Sequence, residues 1–193
     1  IDWQKIEDLC EQKITALNNH KEQQISHERT EAQNKALASA LSGLDPNKIN
    51  DLPSRRNLHA DPVIMVVDDD QLSRTLVGNI LNPKFNMVFA TNGTEAIRSY
   101  VENAPDVLFL DIGLPDIGGH ELLEAFSQID PESYIIMFSG RKNKENMLRA
   151  LRAGAQGFVG KPFTRNEIMH YIEKSPYAKD KHGRAKTSGH IAV

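Results

Sequence analysis

Short hydrophobic runs alternate with amphipathic stretches between residues 62 and 174, and this alternation constrains the fold more than any other feature of the chain. The hydrophobic runs are Val63–Val67, Met87–Ala90, Val107–Leu110, Ile135–Phe138 and Gly157–Val159. The stretches with helical periodicity that follow them are Leu72–Leu81, Thr94–Glu102, His120–Ile129, Lys144–Ala153 and Arg165–Lys174. Most runs are continuous, as in strands that are buried on both faces of a parallel sheet. The repeats therefore predict an α/β fold with a doubly wound, five-stranded parallel sheet.

The first 44 residues are predicted to form a long helical segment that precedes this α/β domain. Apolar residues recur there at steps of three and four and so share one face: Trp3, Ile6, Cys10, Ile14 and Leu17. Gly43 is a stop signal for the helix. A helix this long and polar buries little surface by itself, so we expect it to pack on the rest of the protein or on a second copy. A homodimer through this helix is the interpretation that we favour.

Two other segments lack such periodicity. Residues 45–61 contain Pro46 and Pro53, and we interpret them as a linker between the helix and the domain. Residues 175–193 hold scattered Lys, His, Gly and Ser, and they are predicted to form a flexible tail.

Charge and composition argue against several classes of function. The net charge is −3 and the isoelectric point is about 6.2, which gives no electrostatic basis for binding nucleic acid. The hydrophobic runs are far too short to cross a bilayer, so we expect no membrane segment. Cys10 is the only cysteine, which fits a protein in the reducing cytoplasm.

Polar side chains follow the predicted strands at their carboxyl ends. They are Asp68, Asp69 and Asp70 after the first strand, Asp111 at the end of the third, Ser139 after the fourth and Lys161 after the fifth. In open α/β sheets, ligands bind beyond the carboxyl ends of the strands. The sequence therefore predicts one site that combines acidic groups, a hydroxyl and an ammonium.

A divalent cation is the expected partner of these acidic groups, because clustered carboxylates repel one another and raise each other's pKa. Mg²⁺ suits the site because it prefers oxygen ligands and keeps several waters, and Mn²⁺ is an alternative. Asp69 and Asp111 are the predicted direct ligands, with Asp68 bound through water and the backbone carbonyl of Gly113 as a further ligand. Asp70 is instead expected to cap the helix that follows it.

A carboxylate in such a site can attack a phosphoryl group and become an acyl phosphate. Phosphoryl transfer depends mainly on positioning and on neutralising charge. We expect Mg²⁺ to contact one phosphoryl oxygen, Lys161 a second, and the Ser139 hydroxyl with a backbone amide the third.

Four sequence motifs resemble those of response-regulator receiver domains of two-component signalling systems, and they occur in the order typical of that family. They are VVDDDQLSR at Val66–Arg74, LFLDIGLPDIGG at Leu108–Gly119, IIMFSG at Ile135–Gly140 and AGAQGFVGKPF at Ala153–Phe163. The resemblance implies a receiver domain over residues 62–174, similar to the chemotaxis regulators of bacterial-type signalling. It also implies a flavodoxin-like sheet with strand order 2-1-3-4-5.

The resemblance assigns roles to individual residues. It implies that Asp111 is the phosphoacceptor, with Asp68 and Asp69 as the acidic pair. The implied phosphate-binding and switch residues are Ser139, Gly140, Lys161 and Phe158, and Pro162 is the implied cis-proline after the lysine.

The resemblance also bears on Phe158 and Arg141, which adjoin the implied phosphate-binding residues in the sequence. Phe158 stands where tyrosine is common and has no hydroxyl, so it can report the switch only through its burial. Arg141 follows the switch hydroxyl by two residues, at a position that borders the attacking water in this family. We therefore expect Arg141 to alter the lifetime of the acyl phosphate.

The resemblance also implies partners. A histidine kinase or a histidine phosphotransfer protein is the expected phosphodonor. A downstream protein target or a second copy is expected to bind through the last strand and its flanking helices. Self-phosphorylation and autodephosphorylation are the only chemistry expected, because an aspartyl phosphatase-type enzyme needs a second Asp where this chain has Gly113. Two larger contexts stay open: the terminal receiver of a hybrid histidine kinase, or a fragment of a regulator with an N-terminal effector or sensor.

Overall fold

The computed structural model describes residues 3–81, 84–140 and 144–178, with the side chains of residues 3–12 and 14 excepted. Its strands are β1 (Val63–Val67), β2 (Asn86–Ala90), β3 (Val107–Asp111), β4 (Ile135–Ser139) and β5 (Gly157–Gly160). All neighbouring strands are parallel, and the order across the sheet is β2-β1-β3-β4-β5. The predicted fold class and strand order are therefore confirmed.

Helices precede the sheet and cover both of its faces. They are α1 (Trp3–Ser42), α2 (Pro46–Asn50), α3 (Leu52–Asn57), α4 (Gln71–Leu81), α5 (Gly93–Asn103), α6 (Gly119–Ile129), α7 (Lys144–Arg152) and α8 (Arg165–Lys174). A capping box begins α8, because Thr164 and Glu167 each accept from the other's backbone amide. None of the helices within the described ranges has the length and hydrophobicity needed to span a membrane.

The strand side chains divide between two hydrophobic clusters on opposite faces of the sheet. In β1, Met65 and Val67 belong to one cluster, whereas Ile64 and Val66 belong to the other. Successive side chains of a strand point to opposite faces, so a strand that is covered on both sides must be hydrophobic throughout. This geometry explains the continuous hydrophobic runs of the sequence.

The chain divides into two compact units, residues 1–35 and residues 36–193. The first unit consists of the N-terminal part of α1, where Leu17 and Ile25 are 67% and 62% exposed. The long predicted helix is present and ends at Ser42, next to the predicted stop. The apolar face from Trp3 to Ile14 lies outside the described side chains.

Residues 45–61 are not an irregular linker, which corrects the interpretation from sequence. Pro46 and Pro53 lie at the starts of α2 and α3, in the first helical turn, where proline is favoured because that position needs no amide donor. Asp45 caps α2 by accepting from the Asn47 amide at 2.9 Å. Leu52 of α3 is fully buried in the core of the second unit. The prolines therefore begin helices instead of preventing them.

A buried ion pair connects α3 to the end of α6. The guanidinium of Arg56 contacts the carboxylate of Asp130, and both side chains are almost completely buried. The hydroxyl of Tyr100 donates to Asp130 Oδ2 at 2.7 Å, and Arg56 Nε donates to the Pro105 carbonyl at 3.0 Å. Arg56 also lies 4.9 Å from the centre of the Tyr177 ring. Residues that come before, within and after the α/β repeats in the sequence thus meet at one buried guanidinium.

The prediction of a flexible tail is wrong for its first four residues, 175–178. Ser175 and Ala178 are buried, and the Ser175 amide donates to the Tyr171 carbonyl at 3.0 Å. Residues 175–178 therefore pack on the domain, and residues 179–193 lie outside the described part of the chain.

Arg56→Ala is expected to lower the free energy of unfolding by about 3–5 kcal/mol, because it leaves the Asp130 carboxylate buried without its counter-ion. Chemical denaturation of the full chain, followed by circular dichroism, measures the loss. Lys48→Ala is the control, because it removes an exposed ion pair with Glu102 (Nζ–Oε1 2.6 Å) and should cost less than about 1 kcal/mol. Equal losses in the two variants would contradict a stabilising role for the buried pair.

Candidate functional site

The predicted site residues meet at the carboxyl edge of the sheet because their strands are neighbours. Asp68 directly follows β1, Asp111 ends β3, and Ser139 ends β4. Asp111 is paired with Phe138 in the parallel register, so Ser139 lies one residue beyond the partner of Asp111. Lys161 follows β5, and its amide donates to the Ser139 carbonyl at 2.7 Å. Strand order and register alone thus bring four separated segments together.

Three carboxylates form the acidic part of the site. Oxygens of Asp68, Asp69 and Asp111 lie within 4.8 Å of one another. Asp68 is fully buried and Asp111 is 6% exposed, whereas Asp69 faces solvent. The Asp68 position is fixed by the Arg74 guanidinium, which donates to its backbone carbonyl at 2.6 Å. The cluster therefore combines two buried carboxylates with one that solvent can reach.

Asp70, the third residue of the acidic run, is used locally. Its carboxylate accepts from the Ser73 amide at 2.9 Å, the Ser73 hydroxyl at 2.7 Å and the Leu72 amide at 3.2 Å. These bonds lower the pKa of Asp70 and satisfy free amides in the first turn of α4. The prediction that Asp70 caps this helix is confirmed.

The Lys161 ammonium lies between two carboxylates of the cluster. Its Nζ is 2.6 Å from Asp68 Oδ2 and 2.6 Å from Asp111 Oδ1. Burial by itself would lower the pKa of Lys161, but the hydrogen bonds to Asp111 and Asp68 outweigh burial and raise the pKa above its ordinary value. The Lys161–Pro162 peptide bond is cis. The lysine therefore carries a positive charge at the position where the two buried carboxylates meet.

Burial raises the pKa of Asp68 even though Lys161 and the Asp70 amide act in the opposite direction. A single ammonium consequently leaves this carboxylate incompletely compensated. Carboxylate oxygens of Asp69 and Asp111 lie within 4.8 Å of an Asp68 oxygen, and such oxygen ligands suit a hard divalent cation such as Mg²⁺. The residues present thus fit the ion that the sequence predicts.

The loop after β3 begins at the predicted phosphoacceptor. The Gly113 amide donates to Asp111 Oδ2 at 2.6 Å, and Gly113 itself is exposed. Backbone atoms of this loop therefore lie beside the carboxylate cluster, and the Gly113 carbonyl as a metal ligand stays a prediction.

The remaining predicted residues lie around the same edge. Ser139 is buried, Gly140 is exposed, and Phe158 is half-buried against the core. The Tyr171 hydroxyl lies 3.4 Å from the Phe158 amide nitrogen. Arg141 lies outside the described residues, so its effect on the acyl phosphate stays a prediction.

Sequence reasoning missed the role of Asp116, which lies further along the same loop. Its carboxylate accepts from the Gly93 amide at 2.6 Å and from the amide and hydroxyl of Thr94 at 2.9 and 2.7 Å. Burial opposes ionisation of Asp116, but the bonds from Thr94, Gly93 and Ile117 prevail and lower its pKa. An Asp in a turn indicates local capping from sequence, but nothing in the sequence indicates a partner helix more than twenty residues away.

His120 is a second buried polar residue that sequence reasoning passed over. The side chain is 5% exposed, and neither ring nitrogen has a hydrogen-bond partner among the described residues. A neutral imidazole always carries one N–H, so at least one buried donor has no partner among these residues. Burial lowers the pKa of His120, and the Arg149 guanidinium lowers it further against the opposing effects of Glu121 and Glu124.

The sheet order, the acidic cluster and the lysine after the last strand form the arrangement that the sequence motifs predict for a receiver domain. The family model described as the response regulator receiver domain matches residues 64–173. The chain therefore belongs to the response regulator receiver domain family of two-component systems. Members of this family are generally signalling modules rather than enzymes. The match does not include the residues before 64, which carry α1, α2 and α3.

Relatives and solved structures agree with this assignment. The chemotaxis protein CheY of Listeria monocytogenes is 34% identical over 114 residues, which make up 58% of this chain and 96% of that protein. A CheY-like receiver domain protein from Methanospirillum hungatei superposes with a TM-score of 0.55 at 29% identity, covering 59% of this chain and 92% of that one. The CheX–CheY–BeF3–Mg complex of Borrelia burgdorferi gives a TM-score of 0.56 at 25% identity, covering 58% and 87%.

His120→Leu is expected to raise the free energy of unfolding at pH 7 by about 1–2 kcal/mol, because it removes a buried donor for which the described part of the chain offers no partner. The lowered pKa of His120 also makes the free energy of unfolding of the wild type depend on pH. As the pH falls below about 6.5, the unfolded chain binds a proton at His120 that the folded chain does not, so the wild type loses stability. Thermal melts from pH 7.5 to 5 should show a smaller loss in the variant.

Replacement of an exposed histidine provides the control for this pH dependence. His170 on α8 is exposed, so His170→Gln should keep the pH dependence of the wild type. If His120→Leu were less stable than the wild type at pH 7, or lost stability equally steeply with acid, the unsatisfied-donor interpretation would be wrong.

Proposed function

We propose that this protein is a phosphorylation-dependent switch in which Asp111 accepts a phosphoryl group from phosphohistidine on a histidine kinase or phosphotransfer protein. The observation that supports this most directly is the position of the Lys161 ammonium, 2.6 Å from Asp111 Oδ1 and inside the carboxylate cluster. A fixed cation at this position neutralises charge on a transferred phosphoryl group, which is the main requirement of the reaction. Because donor and acceptor must meet, we place the protein in the cytoplasm with its kinase.

The transfer exchanges one covalent bond for another. A carboxylate oxygen of Asp111 forms a bond to phosphorus, and the bond between phosphorus and the donor's imidazole nitrogen breaks. The imidazole leaves with the bonding electron pair and takes up a proton from solvent, and Asp111 becomes an acyl phosphate. Hydrolysis later restores the carboxylate and releases inorganic phosphate.

The acidic cluster would hold Mg²⁺ during this reaction, with Mn²⁺ as an alternative. Asp69, Asp111 and the Gly113 carbonyl are the proposed direct ligands, and Asp68 acts through water. When bound, the ion supplies positive charge that offsets repulsion between the cluster and the incoming phosphoryl oxygens. The BeF3- and Mg-containing complex of the Borrelia relative supports this choice of ion.

The proposed switch passes from the phosphate to the last strand. The buried Ser139 hydroxyl and the Gly140 amide bind a phosphoryl oxygen, and the half-buried Phe158 ring then turns into the space that Ser139 leaves. The population shifts toward a state in which β5, α7 and α8 present a binding surface. Leu148 and Leu151 of α7 already expose apolar area that a protein target or a second copy can cover. The Borrelia relative forms a complex with CheX, which supports a protein target.

Asp111→Asn should abolish labelling of the full chain by acetyl phosphate in the presence of Mg²⁺, because the amide cannot act as the nucleophile. Intact-protein mass spectrometry measures the added phosphoryl group. Asp70→Asn is the matched control, since Asp70 is acidic and nearby but caps α4, and it should label like the wild type. Labelling that persists at another residue of Asp111→Asn would contradict the assignment.

In the same assay, Arg141→Ala should change the rate at which the label is lost.

We further propose that α1 forms a homodimer, with the receiver acting either as an independent regulator or as part of a longer kinase or effector protein. Leu17 and Ile25 are exposed on a long polar helix, and a partner helix would cover them. The double variant Leu17→Glu, Ile25→Glu should then sediment as a monomer, while the wild type sediments as a dimer. Thermal melting of the α/β domain is the control and should not change. A wild-type protein that is monomeric with and without acetyl phosphate would contradict the proposal.

A further inference from the structure

The start of α5 is joined directly to the loop that carries the phosphoacceptor. The Asp116 carboxylate accepts three hydrogen bonds from Gly93 and Thr94, with donor–acceptor distances of 2.6, 2.9 and 2.7 Å. A Cβ atom at Gly93 would lie 2.7 Å from the Ile117 side chain, so the loop approaches the helix as closely as glycine allows. The loop and the first turn of α5 therefore move together.

The other end of this loop is held by the reacting group itself. The Gly113 amide donates to Asp111 Oδ2 at 2.6 Å, which leaves only a short stretch of chain between that bond and Asp116. Phosphorylation replaces a carboxylate, which accepts strongly, with an acyl phosphate whose carbonyl oxygen accepts more weakly. The loop thus has one end at the chemical change and the other at α5.

The end of α1 packs near α5 within the second compact unit, where Leu37, Leu41 and Leu44 adjoin the core cluster that contains Ile97 and Tyr100. Beside this contact lies a cavity of about 530 Å³, which is lined by residues of α1 and by residues along α5: Ala36, Ser39, Ala40, Thr94, Arg98, Val101 and Glu102. Close-packed helices transmit or resist a shift as a block, whereas an open space between helices lets one reorient at little cost. The helix α5 therefore has room to move against the end of α1, and the contacts at its two ends decide which end moves.

The C-terminal half of α5 is fixed in place by α2 and α3. The Arg55 guanidinium donates to the carbonyls of Val101 and Glu102 at 2.6 and 3.0 Å, and Lys48 pairs with the Glu102 carboxylate at 2.6 Å. A shift at the start of α5 consequently becomes a tilt about its anchored end, and that tilt changes the contacts of residues 36–44.

We propose that residues 36–44 are a second output element of this receiver, and that Asp116 is the positioning residue that couples them to the state of Asp111. The proposal rests on the phosphorylation of Asp111 proposed above. It assigns an output to the α5 side of the sheet, away from the last strand and its flanking helices.

Hydrogen exchange of the full chain, measured by mass spectrometry with and without beryllofluoride and Mg²⁺, tests this coupling. Beryllofluoride serves as the phosphoryl probe because it avoids hydrolysis during the measurement. In the wild type, amides of residues 36–44 should change their exchange rate by about twofold or more, in addition to those of residues 157–163. Asp116→Ala should abolish the change at 36–44 and keep the change at 157–163.

Asn92→Ala is the matched control, because Asn92 caps the same helix by accepting from the Glu95 amide at 2.9 Å but does not belong to the loop. It should keep the response at 36–44 if Asp116 couples the two regions, and lose it if any weakening of the first turn of α5 suffices. Loss of the response in both variants would remove Asp116 from its proposed role.

The outcomes also separate this inference from the proposed function. A wild type that responds at 157–163 but not at 36–44 overturns the second output and leaves phosphorylation intact. A folded wild type that responds in neither region, and that acetyl phosphate does not label, overturns the proposed function itself.

Discussion

The contact of one ammonium with two buried carboxylates is the interaction on which the rest of the molecule depends. Asp68 directly follows β1 and Asp111 ends the neighbouring strand β3, and Lys161 Nζ lies 2.6 Å from an oxygen of each. Two charges that leave water lose several kcal/mol of hydration each, and only good pairing offsets that loss. The sheet must therefore hold β1, β3 and β5 in fixed register to keep the pairing. The same arrangement leaves Asp68 with a raised pKa, so the edge retains a need for further positive charge.

The fold, a parallel sheet with helices on both faces, was predictable because its causes are local. Each strand places alternate residues in opposite hydrophobic clusters. Burial on both faces therefore requires hydrophobic residues at successive positions, which appear in the sequence as continuous runs. The site was predictable for a related reason, since parallel strands bring their carboxyl ends to one edge and the residues after them must meet there. The motifs then supplied roles that periodicity alone does not give. The helix cap by Asp70 was also predictable from local sequence, because a cap is a contact within four residues.

The contacts that sequence reasoning missed join residues that are far apart along the chain. Arg56 pairs with Asp130 across 74 residues, and Asp116 binds Thr94 across 22 residues, so no window of sequence contains both partners. The linker prediction that rested on Pro46 and Pro53 was wrong for another reason, since proline occurs both in irregular chain and in the first turn of a helix. Burial decides between these two meanings, and the burial of Leu52 depends on a core that is built by later residues.

The packing unit of this receiver is consequently larger than the family domain that it contains. The family match begins at residue 64, but the compact unit begins at residue 36 and places Leu52 in the main core. Arg56 is almost completely buried and its charge is matched by Asp130, which requires the early segment to stay docked whenever the domain is folded. His120 provides the contrast, because neither of its buried ring nitrogens has a hydrogen-bond partner among the described residues. The α3 side of the domain is therefore held by a compensated buried charge, whereas the start of α6, next to the phosphoacceptor loop, contains a buried polar group for which those residues offer no partner.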